Sequence, residues 1–234
     1  VIFISGAVPG DTVDIILTKN KKDWAEARAI KIITPAPDRL EPFCRHFGIC
    51  GGCKWQMLPY EKQLFYKQQE TEQNLKRIGK VELPAIMPII GSANTIHYRN
   101  KLEFTFSNKR YFTHEEMSTP GAFEDAVNPN TLECWLLDDV NNRVRNSIRD
   151  FAKENKFLYY DIKEHTGWLR NIIIRYCTTG ELMVNICLNY EEEANRKLLL
   201  DHLLKQVPSI TTLLYTINPK WNDSIYDLTP QTYY

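Results

Sequence analysis

The 234-residue sequence predicts an α+β fold, and three observations point to it. Hydrophobic residues alternate with polar ones between residues 12 and 33, which is typical of short strands. A cysteine-rich loop follows at residues 44 to 53. From residue 168 onward the predicted order is strand, strand, helix, strand, which favours a compact domain with a mixed or antiparallel sheet.

The composition restricts the class of protein. With 43% hydrophobic and 12% aromatic residues the chain can bury a hydrophobic core. The sequence has no run of about 18 apolar residues and no signal-peptide pattern, so we expect a cytoplasmic protein without a membrane partner. Its 29 basic and 29 acidic residues cancel, which argues against binding nucleic acid by bulk charge, although residues 99 to 110 carry four cations and one acid.

The N-terminal segment predicts part of a barrel. Val13, Ile15 and Leu17 alternate with polar or exposed neighbours, and residues 25 to 33 form a second predicted strand. Two or three short strands are too few for an independent barrel, so residues 1 to 36 are expected to be the end of a small β-barrel whose first strands precede Val1. Three prolines between residues 34 and 42 predict a stiff linker.

A polar helix and a half-buried strand follow. Residues 59 to 78 predict a helix with Pro59 in its first turn and Gly79 as a left-handed cap. Residues 98 to 112 switch to a period of two, so one face of this strand is expected to be buried; that face carries Leu102, Phe104 and Phe106. We therefore expect a cluster-binding loop and helix over residues 37 to 80 and a central α+β domain over residues 81 to 234.

The central domain has clear periodic signals. Residues 138 to 155 predict a helix whose apolar stripe consists of Val140, Val144, Ile148 and Phe151. Two strong strands flank the turn at residues 178 to 180, which predicts a hairpin. A helix over residues 191 to 206 and a strand over residues 210 to 218 complete the domain.

Three cysteines in the C-x5-C-x2-C spacing predict a metal centre in a reducing compartment; they are Cys44, Cys50 and Cys53. An iron-sulfur cluster ordinarily takes four thiolates, and the fourth must come from the remaining cysteines. Cys177 and Cys187 fall on predicted strands, where a small buried hydrophobic residue is the usual explanation. Cys134 precedes a helix beyond a loop, and we choose it as the fourth ligand.

Zinc is the main alternative to the cluster. Three thiolates with His46 or Cys134 would form a tetrahedral site, but zinc sites usually show two closely spaced ligand pairs and this sequence has one. A third alternative is that all six cysteines are reduced and carry no metal. The spacing alone leaves these alternatives open.

Several segments together resemble a known family. PGDTVDIILTKNKKDWAEARAIKI is followed by P-x-R-x-x-P-x-C, by CRHFGICGGCKWQMLPYEKQLFYK and by YRNKLEF. In this order they resemble the iron-sulfur RNA (uracil-5-)-methyltransferases over nearly the whole chain. The stretch between Arg110 and Cys134 departs from the family, because it lacks a clear second strand.

The resemblance implies the architecture and the cofactors. Residues 1 to 36 resemble the end of a TRAM domain, an OB-like RNA-binding barrel, and a [4Fe-4S] cluster is implied on the ligands Cys44, Cys50, Cys53 and Cys134. The family methylates C5 of uridine with S-adenosylmethionine, using catalytic residues of a C-terminal domain. None of the ten glycines forms a G-x-G loop, so we expect the full-length protein to be the enzyme and this chain alone to be inactive, with no catalytic or cofactor-binding residue assigned here.

RNA is therefore the expected partner, with ribosomal RNA favoured over transfer RNA, and we expect a monomer. The expected RNA contacts are cations in and after the Y-R-x-K segment: Arg99, Lys101, Lys109 and Arg110. An alternative for Lys101 is a salt bridge with Glu103 on a solvated strand face. An alternative for the whole chain is a non-enzymatic zinc module that binds RNA or protein.

Overall fold

The computed structural model describes residues 1–48, 52–106 and 133–234 and divides the chain into two compact units. The first unit consists of Val1–Phe43 and Cys53–Thr95, and the second of Cys44–Gly52 and Ile96–Tyr234. The α+β class with a mixed sheet is confirmed. The finer division at residues 36 and 80, and the departure between Arg110 and Cys134, stay predictions, and the latter falls mostly outside the described residues.

The first unit contains a three-stranded sheet. Its strands are β1 (Ile2–Ser5), β2 (Thr12–Asn20) and β3 (Ala25–Thr34), in the order β1-β3-β2. β3 pairs with β1 in parallel and with β2 antiparallel. The two strands predicted from alternation are thus present, and β1 is added by its pairing with β3.

Asp11 ties the proline-rich segment to this sheet. Its carboxylate accepts hydrogen bonds from the backbone N–H groups of Val8 (2.8 Å) and Ala36 (2.9 Å) and forms a salt bridge with Arg39. Ala36 is consequently buried within the unit. The predicted linker over residues 34 to 42 is therefore packed against the sheet at this point.

The first helix ends differently from the sequence prediction. α1 spans Tyr60–Gln73 and continues as a π-helical turn over Asn74–Ile78, with no buried residue, as its polar composition predicts. The left-handed cap predicted at Gly79 is wrong, because Gly79 has a φ of −69° and Lys80 takes the positive φ of 50°. In the wider π-helical turn the N–H of Gly79 donates to the carbonyl of Asn74, five residues earlier. The residue with positive φ that ends the helix is therefore Lys80, one position after Gly79.

The second unit contains a five-stranded mixed sheet with two helices. The strands are β4 (Lys101–Thr105), β5 (Leu169–Tyr176), β6 (Leu182–Leu188), β7 (Thr212–Ile217) and β8 (Gln231–Thr232), in sequential order. Among the described strands of this sheet only β6 and β7 pair in parallel, because α3 (Glu193–Gln206) forms the crossover between them. α2 (Val140–Glu154) connects β4 to β5 along the chain. The register of β5 with β6 shifts at its start, between Leu169 and Asn171.

The two faces of this sheet differ. The helical face carries apolar residues including Leu102, Phe104, Ile172, Ile174, Val184 and Ile186, all buried. α2 and α3 lie on this face, because Arg145 of α2 stacks over Phe104 and Arg196 of α3 stacks over Tyr215. The opposite face, which we call the polar face, carries Lys101, Glu103, Asn171, Arg175, Asn185 and Cys187.

None of the described helices combines the length and the apolar character that a membrane crossing requires.

Candidate functional site

The start of α2 holds Cys134 in place. The backbone N–H of Cys134 donates to Oδ1 of Asn142 at 2.8 Å, and its carbonyl accepts from Nδ2 of Asn141 at 3.4 Å. Both asparagines are buried in the first turn of the helix. The residue predicted to lie at the entry of a helix is therefore fixed by that helix.

Cys44 lies close to Cys134 within the second unit. Burial raises the pKa of the Cys44 thiol, hydrogen bonds from the backbone N–H groups of His46 and Phe47 act against this, and the charges of Cys134 and Glu133 raise it further. Both cysteines are half-buried. Deprotonation of both thiols would place two negative charges close together, and a bound cation or cluster would offset their repulsion.

The arrangement fits part of an iron-sulfur site. Such clusters bind thiolates in loops whose backbone N–H groups point at sulfur, and Cys44 and Cys134 provide two suitable ligands. Cys53 is half-buried and belongs to the first unit, while Cys50 lies outside the described residues. Across residues 1–48, 52–106 and 133–234, no group of three or more His, Cys, Asp or Glu side chains could hold a metal ion. The four-cysteine ligand set stays a prediction.

The other two cysteines were predicted to be small buried hydrophobic residues. Cys187 on β6 agrees, since it is fully buried and burial raises its pKa to about 12. For Cys177 the prediction is wrong, because β5 ends at Tyr176 and the cysteine begins the hairpin turn, where it is exposed.

Arg145, a buried arginine of α2, contacts both the asparagine that binds Cys134 and a phenylalanine of the sheet. Arg145 donates to Oδ1 of Asn142 at 2.9 Å and lies over the ring of Phe104 at 4.6 Å. Burial lowers the pKa of the nearby His46 to about 4, and the positive charge of Arg145 contributes in the same direction. Sequence reasoning missed Arg145, although Asn141 and Arg145 are four residues apart beside the apolar stripe of α2 and therefore share a helix face.

The predicted RNA contacts that the structure describes lie on and before β4. Arg99 and Lys101 are exposed, and the backbone N–H of Arg99 donates to the carbonyl of Leu136 at 2.8 Å. Lys109 and Arg110 lie outside the described residues. Arg175, which the sequence analysis did not identify, is exposed and directly opposite Lys101 in the β4–β5 register. We call Lys101 and Arg175 the cation pair.

Glu103 is engaged by Asn171 across the strands. The carboxylate accepts from Nδ2 of Asn171 at 2.9 Å, and burial and the charge of Asp223 raise its pKa, whereas Lys101 lowers it. Among the described residues no ion pair within 4.0 Å joins Lys101 to Glu103. The salt-bridge alternative for Lys101 therefore reduces to a weak attraction, and the lysine side chain extends from the sheet as a cation available to a ligand.

Curated relatives match nearly the whole chain. A protein of Bacteroides thetaiotaomicron described as an uncharacterized RNA methyltransferase is 48% identical over 246 residues, covering 97% of this chain and 54% of that protein. One of Porphyromonas gingivalis with the same description is 39% identical, covering 97% of this chain and 52% of that protein. The chain thus spans about half the length of the curated relatives it matches. No protein-family model matches it.

A solved structure shares the fold. The tRNA (uracil-54, C5)-methyltransferase of Pyrococcus abyssi, in complex with S-adenosyl-L-homocysteine, superposes with a TM-score of 0.66 at 21% identity. The match covers 95% of this chain and 48% of the pyrococcal chain. Over nearly its whole length the chain is thus similar in sequence to proteins described as RNA methyltransferases.

Proposed function

We propose that this chain is the RNA-recognition and cluster-binding part of an S-adenosylmethionine-dependent enzyme that methylates C5 of a uridine in RNA, with ribosomal RNA as the favoured substrate. The observation that carries the proposal is that 97% of this chain matches about half the length of curated proteins described as uncharacterized RNA methyltransferases. The choice of uracil C5 is supported by the quoted motifs and by the fold shared with the pyrococcal tRNA (uracil-54, C5)-methyltransferase, which was solved in complex with S-adenosyl-L-homocysteine.

Recognition of RNA is assigned to the strand that carries the predicted cations. Arg99 and Lys101 are exposed, and Lys109 and Arg110 follow in the sequence. Exposed cations attract the phosphates of a folded or single-stranded RNA, and each contact adds to the salt dependence of binding. The end of a TRAM-like barrel, residues 1 to 36, is proposed as a second part of the RNA-binding surface.

The [4Fe-4S] cluster is assigned to Cys44, Cys50, Cys53 and Cys134. When bound, the cluster would tie residues 44 to 53 to Cys134, closing a loop of about 80 residues, and so stabilise the fold chiefly as a structural cross-link. Contacts within the chain already position two of these ligands. Asn142 accepts a hydrogen bond from the backbone N–H of Cys134. The N–H groups of His46 and Phe47 favour the thiolate form of Cys44.

The metal content tests this assignment. We expect about four irons and four acid-labile sulfides per chain in protein purified without oxygen. Cys134→Ser should lower both the bound iron and the melting temperature, because it removes a ligand. Cys177→Ser, which changes an exposed cysteine of the hairpin turn, is the matched control and should change neither. One zinc without sulfide would instead favour the non-enzymatic binding module, and unchanged iron in Cys134→Ser would exclude that residue as an essential ligand.

The activity is tested on the protein at its natural length. With labelled S-adenosylmethionine we expect 5-methyluridine in a ribosomal RNA transcript and none in a transfer RNA transcript. The 234-residue chain alone is expected to bind RNA without methylating it. Methylation of the transfer RNA would contradict the choice of ribosomal RNA as the substrate. A methyl group on any atom other than uracil C5 would overturn the proposed reaction.

A further inference from the structure

An exposed tryptophan in the second unit is stacked flat on a histidine. Trp221 is 75% exposed, and its ring lies 4.5 Å from that of His165 with an angle of 9° between the two planes. One face of the indole is therefore covered by the imidazole, whereas most of the rest faces solvent. We call these two side chains the stacking platform.

The loop that carries Trp221 is held by one buried arginine. Nη1 of Arg170 donates to the carbonyls of Asn218 (2.8 Å) and Lys220 (2.6 Å). Nη2 donates to the carbonyl of Asn222 (2.9 Å) and to Oδ1 of Asp223 (2.8 Å). Arg170 lies at the register shift at the start of β5, a kind of irregularity that commonly redirects a side chain. The backbone on both sides of Trp221 is thus fixed before any ligand arrives.

The same arginine also supports the histidine. The guanidinium group of Arg170 lies 3.8 Å from the ring centroid of Tyr160, and the hydroxyl of Tyr160 is 3.0 Å from Nδ1 of His165. The turn that follows His165 in the chain requires a glycine at position 167, because a Cβ on Gly167 would lie only 2.1 Å from the carbonyl oxygen of Tyr159. Both rings of the platform are therefore attached to one rigid set of contacts.

The surroundings of the platform favour a nucleobase over a protein surface. Buried centres of protein interfaces are depleted of charged residues, but the neighbours of Trp221 along its loop are Lys220, Asn222 and Asp223. A flat aromatic ring in a polar, pre-ordered setting is how single-stranded nucleic acid is usually held, since every base has a face that stacks. We propose that the stacking platform binds an unpaired base of the RNA; this inference rests on the proposed function.

The placement relative to the cation pair supports this inference. Lys101 and Arg175 lie at one end of the β4–β5 pairing, and Thr105 and Asn171 lie at the other end. Four residues of strand separate the two ends by about 13 Å. Arg170, which anchors the platform, adjoins Asn171 at the second end. An RNA strand along the sheet would thus have its phosphates held at one end and a base held at the other.

Binding of short RNAs to the whole chain tests the platform. We would measure anisotropy of a labelled oligouridylate of about ten nucleotides, and of an abasic sugar-phosphate strand of equal length. Trp221→Ala should weaken oligouridylate binding by about 5- to 150-fold and leave abasic-strand binding unchanged. Trp221→Phe should recover most of the loss because it restores a stacking ring. Tyr226→Ala removes an aromatic side chain that is 99% exposed in the same segment, and as the matched control it should have no effect.

Three other results of the RNA-binding experiment would contradict the stacking platform, the proposed RNA recognition or both. Equal oligouridylate binding by the wild-type chain and Trp221→Ala would overturn the platform and leave the proposed RNA recognition standing. An equal loss for the abasic strand would also overturn it, because the variant would then act through charge or folding. Failure of the wild-type chain to bind either strand would overturn the proposed RNA recognition and the platform with it.

Discussion

Asp11 is a single residue on which the arrangement of the first unit depends. Its side chain is inaccessible to solvent and accepts hydrogen bonds from Val8 and Ala36 as well as the Arg39 salt bridge. We expect Asp11→Asn to destabilise this unit by about 1 to 3 kcal/mol, because hydrogen bonds to a charged acceptor are lost. Faster hydrogen exchange in peptides from residues 1 to 36 would measure the loss.

The effect of Asp11 should depend on pH in one direction. Burial raises its pKa, but the two backbone N–H groups and Arg39 outweigh burial, so the folded pKa lies below the ordinary 3.8. The group therefore contributes its full stability well above 3.8 and loses that contribution as the pH falls through the lower folded value. Asp14→Asn, on the exposed part of β2, is the matched control; equal exchange in both variants would contradict the role given to Asp11.

Cys177 and Cys187 should differ sharply in reactivity. Burial first, and then the charges of Glu103 and Asp223, raise the pKa of Cys187 to about 12, so about one thiol in ten thousand is ionised at pH 8. Cys177 is exposed in the hairpin turn. We expect iodoacetamide to modify Cys177 in the folded chain and Cys187 only after unfolding, as followed by peptide mass spectrometry. Rapid modification of Cys187 under native conditions would show that β6 opens readily.

At the scale of elements, the β4–β5 pairing places two like charges directly opposite each other. Lys101 and Arg175 repel across the strands, and such pairs are destabilising. We expect Arg175→Gln to stabilise the second unit by a few tenths of a kcal/mol, measured by thermal unfolding. The same change should weaken RNA binding and reduce the slope of log K against log salt by about 1.

The control for this prediction is a cation away from the sheet. Lys205 is exposed in the last turn of α3, so Lys205→Gln should leave the salt slope unchanged. If both variants shift the slope equally, the chain binds RNA through its general charge and the cation pair has no special role.

The elements themselves were largely predictable because each depends on local periodicity. Alternation at Leu102 and Phe104 predicted β4, and the stripe through Val144 and Ile148 predicted α2; in both cases the residues are buried as expected. β8 was missed because its two residues, Gln231 and Thr232, form a strand only through their partners on β7. Short elements of this kind have no periodic signal in the sequence.

At the scale of the whole molecule, the features that the sequence did not predict depend on contacts between residues far apart in the chain. The sequence predicts Cys134 as the fourth ligand among three candidates, but it does not show the hydrogen bond from Cys134 to Asn142 or the contact of Asn142 with Arg145, because both depend on helix packing. Arg175 became a candidate only when the strand register placed it beside Lys101. Arg170 has no special sequence context, and its role follows from a register shift and a loop about 50 residues away.

The pairing of β4 with β5 has a consequence for biosynthesis. β4 ends at Thr105 and its only strand partner among the described residues ends at Tyr176, so β4 leaves the ribosome roughly 70 residues earlier. At a synthesis rate of about 5 to 20 residues per second, the apolar side chains of Leu102, Phe104 and Phe106 stay exposed for roughly 4 to 14 s before β5 can pair with β4. During that interval the nascent chain presents an unpaired strand with an apolar face, which is the kind of segment that chaperones bind.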